Sequence, residues 1–144
     1  TKKYYDALKK VNNLIGDAYK VKETLVMVGD ITGIYVDAYK RMLSDTNFRP
    51  TELAAMASGY ARLLELSGES IKELKAIVQN GSFSMNDKER MDMINAIYEQ
   101  VKEYKAITSY YTRKNISVSY VRAKKKDDTR RVQELYGMDE HRFW

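Results

Sequence analysis

The chain has 144 residues, a length that suits one domain. One Pro, seven Gly and no Cys, with 44% apolar residues, argue against a disordered chain, a disulfide framework or a thiolate metal site. The net charge of +5 is concentrated: eight cations lie between Arg113 and Arg131 against two acids, Asp127 and Asp128, so that segment holds a surplus of six and the remainder is slightly acidic.

The chain opens on Thr1-Lys2-Lys3 without an initiator Met, which points to a processed or trimmed form, a removed signal peptide being one explanation. No apolar run approaches the ~20 residues of a membrane-spanning helix. Residues 2–43 are expected to form one long helix. Tyr4, Leu8, Val11, Ile15, Ala18, Val21, Leu25, Val28, Ile31, Tyr35, Ala38 and Met42 recur at steps of three and four, close to a coiled-coil seam. Gly29 and Gly33 bracket the expected kink, since each costs up to ~1 kcal/mol against Ala in a helix interior.

Ser44 to Pro50 is a linker holding the single proline, with Thr51 as expected N-cap. A second helix is expected over 52–79, with a seam through Leu53, Met56, Tyr60, Leu63, Ile71, Leu74 and Val78, a bend at Ser67-Gly68 and a stop at Asn80-Gly81. Ser84 and Asp87 are placed as a capping box for a third helix over 85–136. Its seam runs through Met91, Ile94, Tyr98, Val101, Tyr104, Thr108 and Tyr111. Residues 115–121 alternate like a strand, but a lone strand has nothing to pair with, so a helix is expected here, or a break in it, with Val118, Val121, Val132 and Leu135 continuing the seam to Gly137. The fold expected is all-α: an elongated antiparallel helical bundle with long, coiled-coil-like helices in one domain, ending in a short tail over 138–144. Leu8, Val11, Ile15, Leu25, Leu53, Tyr60, Leu63, Leu74, Ile94, Val101 and Val132 form the expected buried set, with Met56, Met85, Met91 and Met93 filling gaps in the core.

Little in the chain suggests catalysis. His141 is the single histidine, beside Asp139 and Glu140, and a lone His makes a poor transition-metal site. No nucleophile–base pair and no phosphate-binding glycine pattern stands out. The expectation is therefore no catalytic, cofactor or metal residue. Most of the twelve tyrosines read as core rings with the hydroxyl at the rim. Tyr110, Tyr111 and Tyr120 beside cations could instead stack on single-stranded nucleic acid. Asn115-Ile116-Ser117 matches a glycosylation sequon, a pattern too short to carry weight.

Ser84–Ile94 (SMNDKERMDMI), Tyr110–Gly137 (YYTRKNISVSYVRAKKKDDTRRVQELYG) with the aromatic end at Trp144, Lys2–Leu14 and Leu25–Ile31 together resemble the Bacteroidetes TraI-type conjugative-transposon transfer proteins (distinct from the relaxase of that name), related to TrbJ-like components of type IV secretion. The resemblance spans most of the chain. It implies an exported, helical, non-catalytic component of a conjugation machine, periplasmic or envelope-associated and akin to minor pilus subunits, whose partners are other proteins of the apparatus. On that reading Arg113, Lys114, Arg122, Lys124, Lys125, Lys126, Arg130 and Arg131 are the expected docking residues, serving partners and not folding. The rival expectations are a nucleic-acid-binding helical module using residues 113–131 and a self-associating coiled-coil scaffold.

Overall fold

The computed structural model describes the backbone of residues 2–80 and 86–137, and side chains of 18–79 and 86–137. Leu8, Val11, Ile15, the Asn80-Gly81 stop, Ser84, Met85 and the tail with His141 and Trp144 lie outside those sets. Four helices appear among the described residues, with no strand: α1 (Lys2–Leu43), α2 (Pro50–Asn80), α3 (Asp87–Lys125) and α4 (Thr129–Tyr136). At 1.5 Å per residue the 42 residues of α1 reach about 63 Å. The helix runs unbroken through Gly29 and Gly33, and α2 runs unbroken through Gly68.

Consecutive long helices are antiparallel, so α1 and α3 run parallel, and α1 packs most extensively against α3. Between α1 and α3, Lys20 stacks on Tyr98 and Lys105 donates to Asp30, and from the connector after α1 Asn47 donates to Ser119. Between α2 and α3, Ser70 meets Gln100, Tyr60 meets Thr112, and Glu52 meets Arg122. The core has two parts. One is aliphatic, built on Met27, Ile31, Leu74, Ile94 and Val101. The other centres on Tyr60 and Tyr136 with Met42, Phe48 and Ile116, flanked by Tyr35, Tyr39 and Tyr111.

The buried face of α3 differs from the apolar seam read in the sequence. Ile94, Ile97, Val101, Thr108, Thr112, Ile116, Ser119 and Ala123 are buried, while Val118 and Val121 are exposed. Helical spacing explains this: Thr108, Thr112, Ile116, Ser119 and Ala123 continue the face of Val101, and the valines fall outside it. Thr108 satisfies its buried hydroxyl by donating to the Tyr104 carbonyl at 2.7 Å, as Thr24 does to Lys20 and Ser67 to Leu63. Leu25 is 50% exposed, Ile77 replaces Val78 inside, Met91 and Met93 are exposed, and Leu53 is half-buried. Tyr60, Leu63, Leu74, Ile94, Val101 and Val132 are buried as expected.

Helix ends also moved. Pro50 takes the first position of α2, where its missing N–H costs nothing, and Glu52 accepts from the Arg49 N–H at 3.0 Å. The capping box of α3 is Asn86 with Glu89, not Ser84 with Asp87. The third helix stops at Lys125 instead of running to 136. Asp127 adopts a left-handed conformation (φ 55°), its N–H bonds to the Lys124 carbonyl and the Asp128 N–H to the Ala123 carbonyl. This is a Schellman ending with Asp in the place usually held by Gly. The turn folds α4 back until Gly137 closes it, also left-handed.

At one point α2 and α3 meet with no room for a side chain. A Cβ on Gly59 would lie 2.6 Å from the Tyr111 hydroxyl oxygen and 2.8 Å from its Cζ. The Tyr111 ring is held edge-on against Tyr60, centroids 5.1 Å apart. Gly59→Ala should therefore destabilise the chain by about 1–3 kcal/mol, as overpacking does. Tyr111→Phe, which removes the closest atom, should recover part of that loss in urea unfolding.

Candidate docking surface

The segment richest in cations is also where the fold is fastened. The Asp45 carboxylate is 3% exposed, in the connector between α1 and α2. Its Oδ1 accepts from the Asn47 backbone N–H at 2.9 Å, an Asx-type turn. Its Oδ2 accepts from Ser119 Oγ at 2.5 Å and from the Tyr136 hydroxyl at 2.6 Å. Burial, then the bond to Asp45, raises the pKa of Tyr136, so its hydroxyl stays a donor at neutral pH. Three donors from the connector, α3 and α4 thus converge on one carboxylate. Asp45→Ala would leave them unpaired at roughly 1–3 kcal/mol each, so the expected loss is about 3 kcal/mol or more in chemical denaturation.

Around this centre the eight expected docking residues divide. Arg122 donates to Glu52 through both terminal nitrogens at 2.8 and 2.7 Å, and to the Asn47 carbonyl at 2.8 Å. Lys126 donates to Asn47 Oδ1 at 3.2 Å. Arg131 lies 3.8 Å from Asp128 and donates to the Thr46 hydroxyl, and Arg130 pairs with Glu134 at 3.2 Å across a fully solvated surface. Arg122, Lys126 and Arg131 therefore serve the connector, contrary to the expectation that the whole cluster is free of folding tasks. Arg113, Lys114, Lys124 and Lys125 make no ion pair or side-chain hydrogen bond among the described residues. Lys114, Lys124 and Lys125 are exposed and Arg113 is half-buried.

No acid occurs from Tyr104 to Lys126, so nothing on this part of α3 neutralises those four cations. Exposed apolar side chains lie among them: Ile107 at 43%, Tyr110 at 59%, Val118 at 37% and Val121 at 53%. Tyr111 and Tyr120, by contrast, are half-buried against the core. The surface is therefore mixed, cationic and apolar, and suits a partner that offers both acids and apolar groups. Sequence reading put Val118 and Val121 inside and missed this; the signal was the better helical fit of Ile116, Ser119 and Ala123 to the core. The amide nitrogen of Asn115 is buried without a partner, so the sequon is closed to modification in the folded chain. No helix among the described residues is long and apolar enough to cross a membrane.

Comparison with protein-family models, curated proteins and solved structures found no match to this chain.

The Arg122–Glu52 pair has a readable titration. The bond from Arg122, then that from the Arg49 N–H, holds Glu52 down to about 2 from its ordinary 4.5. A depressed carboxylate stabilises the fold fully above its unfolded pKa and loses that contribution as pH falls through the folded one. The thermal midpoint should thus drop between about pH 4.5 and about pH 2. Glu52→Gln should flatten this part of the curve and lower the midpoint at neutral pH.

Proposed function

We propose that this chain is a non-catalytic component of a conjugative transfer apparatus that docks onto other proteins of the machine through the outer face of α3. Two lines support the reading. The sequence resembles TraI-type transfer proteins over most of its length, which suggests an envelope-facing role. The observation that carries the docking surface is the set of cations with no folding task, interleaved with exposed Ile107, Tyr110, Val118 and Val121. Exposed pairs are worth only ~0–1 kcal/mol, so stability gives little reason to gather such charges. Of the three tyrosines placed to stack on bases Tyr110 alone is exposed, and the aliphatic Ile107, Val118 and Val121 beside it favour a protein partner over nucleic acid.

The test uses Arg113→Gln with Lys124→Gln, introduced into the full gene in a cell carrying the element. Thermal stability should stay within about 0.5 kcal/mol, as for ordinary surface changes. Conjugation frequency should fall, and capture of partner proteins by the purified chain should weaken with salt. Normal transfer by the folded variant removes the reading. Tight DNA binding by the parent chain, falling steeply between two salt concentrations, would replace it with the nucleic-acid one.

A further inference from the structure

The outer face of α3 carries charge in an order that a second copy of the chain can read. Three acids, Asp92, Glu99 and Glu103, lie in its first half, and Lys114 and Lys125 in its second, all exposed. Ile107 and Tyr110 lie between, and Ala96 and Val121 lie further out on either side. From Asp92 through these positions and Val118 to Lys125 every step is three or four residues, so all sit on one side of the helix, away from the core. Asp92, Glu103, Lys114 and Lys125 make no ion pair among the described residues.

We propose that the chain forms a two-fold homodimer through this face, with the α3 helices antiparallel and the axis level with the Thr108–Ser109 peptide. In that register each residue faces the one as far beyond the axis as it lies before it. Ile107 meets Tyr110 of the second copy, Glu103 meets Lys114, Ala96 meets Val121 and Asp92 meets Lys125. The two-fold makes each pairing twice, as an isologous interface requires. Glu99 falls opposite Val118 and stays at the rim. The parallel alternative is penalised by charge, since it sets acids on acids and lysines on lysines. The seam resembles an antiparallel coiled coil with an apolar middle and ionic flanks. The proposal does not rest on the transfer-apparatus reading, since its ground is charge order along one helix face; the two share Ile107, Tyr110, Val118 and Val121, and a dimer seated there leaves Arg113 and Lys124, which the register does not use, for a further partner.

Sedimentation equilibrium of the full chain across a micromolar concentration series tests it. The parent chain should show a monomer–dimer equilibrium. Glu103→Lys alone sets lysine against Lys114, and Lys114→Glu alone sets acid against Glu103. Each should raise the dimer dissociation constant roughly tenfold or more. The double variant should dimerise again, and so should an equimolar mixture of the two single variants, in which both contacts become attractive. Circular dichroism should show all of them folded, since neither side chain has an intramolecular partner. A parent chain that stays monomeric, or a double variant and mixture that fail to recover, overturns the proposal. If the face instead serves an anionic membrane, Glu103→Lys should increase binding to phosphatidylserine vesicles while the parent chain stays monomeric, and that outcome also overturns it.

Discussion

Asp45 is a carboxylate out of reach of water, and such a group persists only where enough donors meet it. Its donors come from the connector, α3 and α4, each brought there by a different part of the chain. That requirement fixes where α1 stops, because the carboxylate must turn inward directly after Leu43. It also fixes why α3 stops at Lys125: a helix continued straight would carry Tyr136 far from Asp45. The Schellman turn at Asp127 reverses the chain, and Arg41 then donates to the Leu135 carbonyl at 2.8 Å, tying the last turn of α4 to α1. Around this point Arg122 and Lys126 act as fasteners of the connector.

The segment from Arg113 to Arg131 therefore contains two kinds of cation, and α3 alone carries both. Arg122 points sideways, between α3 and α2, where its planar fork meets the Glu52 carboxylate with both terminal nitrogens. Lys114 and Lys125 point away from the core and are flexible single charges. Composition alone merges them, yet the first kind sets the geometry on which the second is displayed.

The helical periodicity made the fold class and the long helices readable, including residues 115–121, whose alternation imitates a strand. The face that packs was less readable. Apolar content drew the seam toward Val118 and Val121, whereas the core accepts Thr108, Thr112 and Ser119 because each hydroxyl finds a buried partner, in its own helix, on Tyr60 and on Asp45 respectively. The break after Lys125 was hidden because the left-handed residue is Asp and not Gly. Arg122 as a fastener was hidden for a different reason: its partner lies 70 residues away in sequence, and only the return of α3 past the start of α2 brings them together. Of the docking surface, the cations were legible and the apolar half was not, since exposure of the valines follows from that same error of face.

Both parts of the core are apolar, but they differ in the polar contacts beside them, and they lie toward opposite ends of α2 and α3. Near Met27, Leu74 and Ile94 the helices meet through aliphatic burial, which weakens on cooling. Near Glu52 they also meet through the ion pair with Arg122, which acid weakens as that carboxylate takes up a proton. Cold and acid should thus open the molecule from opposite ends. Amide exchange along α2 would reverse its gradient between the two conditions, with the last turns opening first in one and the first turns in the other.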